Sequence, residues 1–287
     1  MHVLKIVRFK AAAREYYGRL LEDKRIQPIP TSSNCNDNHS QIFEELRAYI
    51  PEDLNTIKED TFFKFNQVEL LAPLVNPPKI ICLGINYHDH ATEQGAKIPD
   101  EPIIFMKPHT AITGPNKPIM KPGFVKKLDY EAELAIIISK RCKNISVKEA
   151  EEHIFGYTIF NDVSARDIQF KDRQWTRGKS FDTFAPIGPC IVTANQITDP
   201  QDLQIKTWVN KELRQDSTTK NMVFNIYQII HQLSKVMTFE PGDLIATGTP
   251  AGVGFFMKPE PKFLKPNDIV TIEIDAIGRL ENFVLQT

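Results

Sequence analysis

Two glutamates in this 287-residue sequence have the spacing of metal ligands on a β-strand. Glu131 and Glu133 are two residues apart in the segment 129–135 (DYEAELA), and alternate residues of a strand point to the same face. Like charges repel there unless a cation lies between them, and the isoleucines at 136–138 predict a partly buried, apolar neighbourhood. From the pattern alone, a solvated acidic edge on a half-exposed strand is the more common explanation.

A third acidic residue follows another predicted strand. Residues 157–160 are β-branched or aromatic, and Asn161, Asp162 and Ser164 come after them. Polar side chains at a strand end are well placed to face a cleft, so Asp162 is the candidate third oxygen ligand. Three carboxylates without cysteine favour a hard cation such as Mg²⁺ or Mn²⁺ over zinc. The alternative is a helix N-cap, which Asp162 or Ser164 would also suit.

A histidine and a glutamate in the segment 84–93 could form an acid–base pair. His90 and Glu93 are three residues apart, so on a helical turn they share a face. A carboxylate beside an imidazole raises its basicity and fixes its tautomer, as a general base requires. A surface ion pair would have the same spacing. The His88-x-His90 pair lacks further zinc ligands nearby, and the segment 95–100 (GAKIPD) that follows is typical of a mobile lid.

One lysine and one glycine-rich segment complete the candidates. Lys179 precedes the partly aromatic run 180–184 and could neutralise a developing enolate or bind a carboxylate, although an isolated lysine is usually a surface residue. The segment 247–254 (TGTPAGVG) has neither Walker A nor Rossmann spacing. It is either a simple turn or a loop whose glycines let the backbone approach a ligand closely.

The elements that must position these residues are mostly strands. Hydrophobic patterning predicts them at 80–84, from about 129 to 139, and at 244–247, 269–277 and 280–285. The clearest helix is amphipathic, runs from Val223 to Val236 and takes Asn221 as its N-cap. The predicted fold class is therefore α+β and rich in β-structure.

The N-terminal part of the chain is predicted to differ from the rest. Residues 3–30 have strand patterns, and Ile42, Phe43, Leu46 and Ile50 recur at helical spacing before Pro51. Three prolines between 73 and 78 then mark a boundary. We expect a small N-terminal accessory domain over residues 1–75 and a catalytic domain over residues 76–287.

Composition excludes several classes of protein. With 35 basic and 36 acidic residues the formal net charge is −1, which argues against a nucleic-acid binder. A hydrophobic content of 41% is too high for a disordered chain. The four cysteines form no CxxC pair, and no apolar run is long enough to span a bilayer. These features predict a cytoplasmic protein without membrane contact, and they leave a mitochondrial leader open.

Seven segments between about Pro77 and Val284 together resemble the fumarylacetoacetate hydrolase family, in the same order throughout. They are GINYHDHATEQ, EPIIFMKP, DYEAELAIIISK, FNDVSARDIQ, GKSFDTFAPIGP, QDSTTKNMVF and PGDLIATGTPAGVG. The resemblance is closest to fumarylacetoacetate hydrolase domain-containing proteins and to bacterial 2-keto acid hydrolases and isomerases. It implies the family's mixed β-sandwich roll, a homodimer and a small 2-keto acid as substrate. Ile85 stands where some members carry arginine.

The resemblance also implies a role for each candidate residue. Glu131, Glu133 and Asp162 would hold Mg²⁺ or Mn²⁺, and Ca²⁺ could take the same oxygen ligands in a crystal. His90 and Glu93 would activate water on a lid that orders over the substrate, and Lys179 would be the third catalytic residue. The residues expected to bind the substrate are Tyr87, Arg166, Gln169 and Thr249.

We expect a metal-dependent hydrolase that cleaves a C–C bond in acylpyruvate-like or fumarylpyruvate-like 1,3-dicarbonyl acids and expels a metal-bound enolate. The His90–Glu93 pair favours hydrolysis because it supplies a base for water. The same site would also serve an oxaloacetate decarboxylase or tautomerase, or an isomerase of the 5-carboxymethyl-2-hydroxymuconate type. A third hypothesis is a non-catalytic module that binds keto acids. The complete set of polar residues argues against it.

Overall fold

The structure is a computed structural model that describes residues 4–30, 43, 46, 62–171 and 174–287. Within these residues the chain forms nineteen strands and four α-helices of known bounds. The strands are β1 (Lys5–Ala11), β2 (Arg14–Leu20), β3 (Arg25–Ile29), β4 (Phe63–Lys64), β5 (Glu69–Leu71), β6 (Ile80–Gly84), β7 (Ile103–Lys107), β8 (Ile112–Thr113), β9 (Pro118–Lys121), β10 (Leu128–Asp129), β11 (Ala132–Ile138), β12 (Ile154–Asn161), β13 (Ser164–Ala165), β14 (Ala185–Thr193), β15 (Gln204–Val209), β16 (Glu212–Thr218), β17 (Leu244–Ala246), β18 (Ile269–Ile274) and β19 (Gly278–Gln286). The helices are α1 (His88–Gln94), α2 (Arg166–Gln169), α3 (Trp175–Lys179) and α4 (Ile226–Val236).

Most strands belong to two sheets that pack face to face. The larger sheet has twelve strands in the order β4-β3-β2-β1-β14-β12-β11-β17-β6-β7, with β5 beside β1 and β8 beside β14. The smaller sheet has the order β16-β15-β18-β19-β9, and β15, β18 and β19 pack against β11, β12 and β14. The prediction of a strand-rich α+β fold of the sandwich type is confirmed.

Strand β11 shows why the centre of the larger sheet is stable. Leu134 and Ile136 pack with Ile272 of the smaller sheet in one hydrophobic cluster, whereas Ala135 and Ile137 belong to a second cluster. Because successive side chains of a strand point to opposite faces, a continuous apolar run implies a strand covered on both sides. The site described below therefore begins from a rigid, fully buried strand.

The N-terminal strands extend the larger sheet. Strand β1 pairs antiparallel with β14, with Lys5 opposite Val192 and Ile6 opposite Ile191. Of the predicted helix near residues 42–50, Phe43 and Leu46 are helical and buried, and the other positions lie outside the described residues. The proposed division of the chain near residue 75 stays a prediction.

The predicted start of helix α4 is wrong by one turn. The helix begins after Asn225, whose side chain accepts a hydrogen bond from the Gln228 amide at 2.9 Å, and the Gln228 side chain accepts one from the Asn225 amide at 2.9 Å. This reciprocal pair is a capping box. Asn221, the predicted N-cap, instead donates to the hydroxyl of Ser217 at 3.0 Å, and Val223 precedes the helix.

Candidate active site

Strand pairing brings the three predicted metal ligands together. Strands β11 and β12 are antiparallel neighbours, with Ala132 opposite Asn161. Glu131 directly precedes β11 and Asp162 directly follows β12, so the two carboxylates lie at the same end of the pair. One ligand oxygen from each of Glu131, Glu133 and Asp162 lies within 4.8 Å of the others, and all three residues are buried. The convergence follows the predicted pattern, except that the strand is interrupted at Glu131.

Two buried lysines partly neutralise this cluster. The Lys179 ammonium donates to Glu131 Oε2 and to Asp162 Oδ2, each at 2.7 Å. Lys107 donates to the other oxygen of Asp162 and, at 3.1 Å, to the carbonyl of Val163. Burial lowers the pKa of Lys179, but Asp162 and Glu131 outweigh this and raise it overall. Burial lowers the pKa of Lys107 despite the attraction of Asp162.

Arg166 connects the cluster to a fourth carboxylate. Its guanidinium lies 2.7 Å from Glu131 Oε1 and 2.9 Å from Asp129 Oδ2, and it donates to Gln169 Oε1 at 3.0 Å. Burial opposes ionisation of Glu131, but the charges of Lys179 and Arg166 outweigh it and lower the pKa of Glu131 to about 2. Glu131 is therefore ionised at neutral pH.

Glu133 has the surroundings of a metal ligand. Its Oε2 accepts a hydrogen bond from the Gly248 amide at 2.8 Å, and its Oε1 is buried without a hydrogen-bond partner within the described residues. Burial, Asp162 and Glu131 together raise the pKa of Glu133 well above its ordinary value. A buried carboxylate oxygen is costly when unpaired, and three clustered carboxylates suit Mg²⁺ or Mn²⁺. The residues present therefore fit the expected divalent cation.

Helix α1 carries the predicted acid–base pair. Nδ1 of His90 lies 2.8 Å from Glu93 Oε2, and Glu93 Oε1 accepts a hydrogen bond from the Gly252 amide at 2.9 Å. His90 is buried with its ring edge-on to Phe256, and its Nε2 makes no hydrogen bond within the described part of the chain. His90 also contributes to the low pKa of Glu131, so the pair lies within electrostatic range of the carboxylates.

Polar side chains hold α1 in place. Asp89 accepts hydrogen bonds from the His90 amide at 2.8 Å and from the Ser217 hydroxyl at 2.6 Å. Asn86, just before the helix, donates to the Thr247 carbonyl at 2.7 Å and accepts from the Phe224 amide at 2.8 Å. These contacts tie the helix to β16 and to the end of β17, so the imidazole has a defined position.

The glycine-rich segment 247–254 contacts three acidic residues of the site. Its amides at Gly248, Gly252 and Gly254 donate to Glu133, Glu93 and Asp129 at 2.8, 2.9 and 2.8 Å, respectively. Gly252 has φ +102°, and a Cβ added there would lie 2.0 Å from the carbonyl oxygen of Arg214. The close approach of this loop to the backbone of Arg214 therefore requires glycine, and the predicted approach of the loop to a ligand stays a prediction.

The predicted substrate-binding residues border the same cluster. Tyr87 is buried, its hydroxyl has no partner within the described residues, and burial and Glu133 raise its pKa. Thr249 is buried and accepts a hydrogen bond at 2.8 Å from Gln215. Arg166 and Gln169 are hydrogen-bonded to each other. Their roles toward a substrate stay predictions.

Lys107 and Asp129 are two charged residues of the site that the sequence patterns above do not indicate. Asp129 is fully buried and accepts hydrogen bonds from the amides of Gly254 and Phe255 at 2.8 and 3.0 Å. Lys107 ends the apolar strand β7, and a lysine there was a signal that it faces a buried acid. Both residues lie inside the motifs EPIIFMKP and DYEAELAIIISK.

A family model and a curated relative match most of this chain. The model of the fumarylacetoacetate (FAA) hydrolase C-terminal family matches residues 79–285. A mitochondrial oxaloacetate tautomerase from Xenopus laevis is 50% identical over 222 residues, which cover 77% of this chain and 69% of that protein.

Two solved structures cover nearly the whole chain. A fumarylacetoacetate hydrolase from Exiguobacterium antarcticum has a TM-score of 0.84 at 38% identity and covers 99% of this chain and 100% of its own. A maleylpyruvate hydrolase from Sphingobium sp., in complex with manganese(II) and pyruvate, has a TM-score of 0.81 at 30% identity, with coverage of 98% and 99%. Among the described residues, no helix is both long and apolar enough to cross a bilayer. The sequence match, the shared fold and the clustered carboxylates establish that the chain belongs to the fumarylacetoacetate hydrolase family.

Proposed function

We propose that this protein is a metal-dependent tautomerase that interconverts the enol and keto forms of oxaloacetate or a closely similar 2-oxo acid. The site supports acid–base chemistry on a 2-oxo acid through the buried His90–Glu93 pair, which shares the glycine-rich loop with the carboxylate cluster and would serve hydrolysis as well. The observation that carries the choice of tautomerase is the 50% identity to the Xenopus laevis relative named for this activity. The expected C–C hydrolase is therefore the second candidate.

The carboxylate cluster supplies the place for the substrate's oxygens. Glu131, Glu133 and Asp162 are the residues that would hold the divalent cation, which would act as a Lewis acid toward the 2-oxygen and the adjacent carboxylate. Lys179 keeps a positive charge beside two of these ligands. That charge offsets the negative charge that develops on the 2-oxygen when the enol loses its proton.

The acid–base pair moves the proton at carbon 3. In the direction from enol to keto, Nε2 of His90 would take the proton of the hydroxyl on carbon 2, and the resulting imidazolium would give a proton to carbon 3, so atoms and charge balance. Nε2 of His90 is the nitrogen available for this transfer because Nδ1 faces Glu93. The Glu93 carboxylate stabilises the imidazolium form, and the Gly252 amide holds that carboxylate in place.

The second candidate is hydrolysis of a C–C bond in an acylpyruvate. In that reaction His90 would take a proton from water, and the resulting hydroxide would attack the distal carbonyl. The C–C bond beside that carbonyl would then break, and the enolate of the 2-oxo acid would leave and take the proton from His90. The 30% identical maleylpyruvate hydrolase supports this alternative. Both reactions use an enolate of a 2-oxo acid, so a substrate panel is needed to separate them.

The test uses purified protein with Mg²⁺ and freshly dissolved enol-oxaloacetate, followed by the loss of enol absorbance. We expect rapid ketonisation that EDTA abolishes, and a loss of about 100-fold or more in kcat in His90→Ala, the typical size of a general acid–base contribution. Thr92→Ala, an exposed change on the same helix, is the control. If the protein accelerates acylpyruvate cleavage but not the ketonisation of enol-oxaloacetate, the tautomerase is rejected and the hydrolase takes its place.

Metal binding is measured separately by the rise in unfolding temperature on addition of Mg²⁺. Glu133→Gln should abolish this rise, because it replaces the buried carboxylate oxygen that has no hydrogen-bond partner among the described residues. His90→Ala should keep the rise, since the imidazole is assigned to proton transfer and not to the cation. Metal-stabilised protein that is inactive on every 2-oxo acid tested would support a binding module instead.

A further inference from the structure

Gln215 is a fully buried residue of β16 whose amide connects several parts of the site. Its Oε1 lies 3.1 Å from the amide nitrogen of Ala132 and 2.8 Å from the hydroxyl of Thr207. Its Nε2 lies 2.8 Å from Thr249 Oγ1 and 2.9 Å from the carbonyl oxygen of Pro250. Two acceptor sites and two donor hydrogens are the full capacity of an amide, so every position is used.

Two of these contacts fix which end of the amide is oxygen. The backbone N–H of Ala132 can only donate, so Oε1 must face it. The carbonyl of Pro250 can only accept, so the amide NH2 must face it. Rotation of the amide by 180° would place donor against donor and acceptor against acceptor. The Gln215 side chain therefore has a single direction.

That direction determines what the Thr249 hydroxyl can do. Because the Gln215 amide donates to Oγ1, the proton of the hydroxyl must point elsewhere. No acceptor for this proton lies among the described residues, although Thr249 is only 4% exposed. A buried donor without an acceptor is costly, and a ligand oxygen would remove that cost. Thr249 also follows Gly248, whose amide contacts Glu133 at 2.8 Å.

We propose that Gln215 is a positioning residue that presents the Thr249 hydroxyl as a hydrogen-bond donor to the carboxylate of a bound 2-oxo acid. The relay runs from the Ala132 amide to Gln215, from Gln215 to Thr249, and from Thr249 to the ligand. Ala132 lies between Glu131 and Glu133, so the relay ties the backbone of the carboxylate cluster to the substrate. The class of ligand in this inference rests on the proposed function.

The test is a double-mutant cycle on ligand binding. The probe is oxalate, a stable dianion with the adjacent oxygens of a 2-oxo acid enolate, titrated by calorimetry into the Mg²⁺-loaded protein. Gln215→Glu keeps the side-chain size, but an ionised carboxylate only accepts, so the Thr249 hydroxyl turns toward it and away from the ligand. We expect Gln215→Glu and Thr249→Val each to raise the oxalate Kd roughly tenfold, the size of one charge-assisted hydrogen bond.

The cycle separates positioning from general damage. In the Thr249→Val background, Gln215→Glu should change the Kd less than about twofold, because the hydroxyl that it turns is absent. Thr249→Ser keeps the hydroxyl and should bind oxalate within about threefold of the wild type. An equal loss from Gln215→Glu in both backgrounds would overturn the relay, as would an unchanged Kd in the single variant.

A second variant tests whether the effect of Gln215→Glu comes from damage to the packing around the side chain. Gln215→Met neither donates nor accepts strongly, so the Thr249 hydroxyl is free to rotate toward the ligand. It should weaken oxalate binding less than Gln215→Glu does, with thermal unfolding used to verify that both variants are folded. A larger loss in Gln215→Met than in Gln215→Glu would assign the effect to packing and reject the relay.

The wild type distinguishes failure of the relay from failure of the proposed function. If Gln215 and Thr249 are coupled in oxalate binding but the wild type does not accelerate ketonisation of enol-oxaloacetate, the tautomerase is rejected and the relay is retained. Rapid ketonisation with no coupling between Gln215 and Thr249 would reject the relay alone. A wild-type protein that binds no oxalate in Mg²⁺ would also reject the relay, because its final acceptor would be missing.

Discussion

Nδ1 of His90 lies 2.8 Å from Oε2 of Glu93, and the second oxygen of that carboxylate is held at 2.9 Å by the Gly252 amide. A backbone N–H can only donate, so Glu93 accepts on both oxygens when Nδ1 carries the proton. This arrangement leaves Nε2 of the imidazole unprotonated and therefore basic. The backbone of the glycine-rich loop thus helps to define the tautomer of the histidine.

Glu93→Gln should lower kcat about 100-fold with little change in KM. The amide oxygen of the variant side chain stays with the Gly252 amide, so its NH2 faces Nδ1 of His90 and forces the proton onto Nε2. The base then has the wrong tautomer. Steady-state kinetics measures the loss, with Thr92→Ala as the matched control. An unchanged kcat would remove the pair from the mechanism.

Lys107→Met should destabilise the metal-free protein by about 3 to 5 kcal/mol, the cost of breaking a buried ion pair by removing one partner. The variant leaves one oxygen of Asp162 without its cation. We expect the loss, measured by urea unfolding in EDTA, to be smaller in Mg²⁺. Lys97→Met removes a lysine whose side chain is 87% exposed and should cost under about 0.5 kcal/mol. A loss of unfolding free energy in Lys107→Met as small as that in Lys97→Met would contradict the prediction.

The pH dependence of stability should contain a contribution from Glu131. Its pKa is lowered from 4.5 to about 2, so its ion pairs stabilise the folded state above pH 4.5, and this contribution is lost as the pH falls toward 2. In EDTA, Glu131→Gln should therefore reduce the fall in unfolding free energy over this range by up to about 3 kcal/mol. The exposed change Glu260→Gln should keep the wild-type slope. Parallel curves for wild type and Glu131→Gln would show that the prediction is wrong.

Gly252→Ala should destabilise the protein by about 3 kcal/mol or more and also lower activity. The added Cβ would lie 2.0 Å from the Arg214 carbonyl, so the loop must shift and release Glu93. Gly95→Ala is the matched control, because Gly95 has φ +64° but nothing within 4 Å of the added atom. It should cost only about 1 kcal/mol, the conformational strain alone. Equal losses in the two variants would show that the contact with the Arg214 carbonyl does not contribute to the loss of stability.

The sequence could predict those parts of the site that depend on local spacing. Glu131 and Glu133 are separated by one residue, and His90 and Glu93 by two, so strand and helix geometry place each pair. Asp162 was recognisable because it ends a strand. The convergence of the three carboxylates depends on the pairing of β11 with β12, which spacing along the chain does not predict.

Residues whose partners are distant in sequence could not be predicted in this way. Lys107 is 55 positions from Asp162, and Gln215 is 83 positions from Ala132. The choice of Asn225 over Asn221 as the N-cap is similar, because both are good caps and a contact of Asn221 with Ser217 separates them. In each instance a contact between residues distant in sequence decides what the local sequence pattern leaves open.

The charges of the site have a consequence for the order in which ligands assemble. In the ion-pair network around the carboxylate cluster, the described acidic groups at Asp129, Glu131, Glu133 and Asp162 outnumber the basic groups at Lys107, Arg166 and Lys179 by one, and Glu93 of the acid–base pair adds a further negative charge. A dianionic acid approaching the bare protein therefore meets no net attraction, whereas a divalent cation would offset the negative charge of the site. Cation and acid should bind cooperatively, each tightening the other, so the occupancy of the enzyme in a cell would follow the supply of free divalent metal.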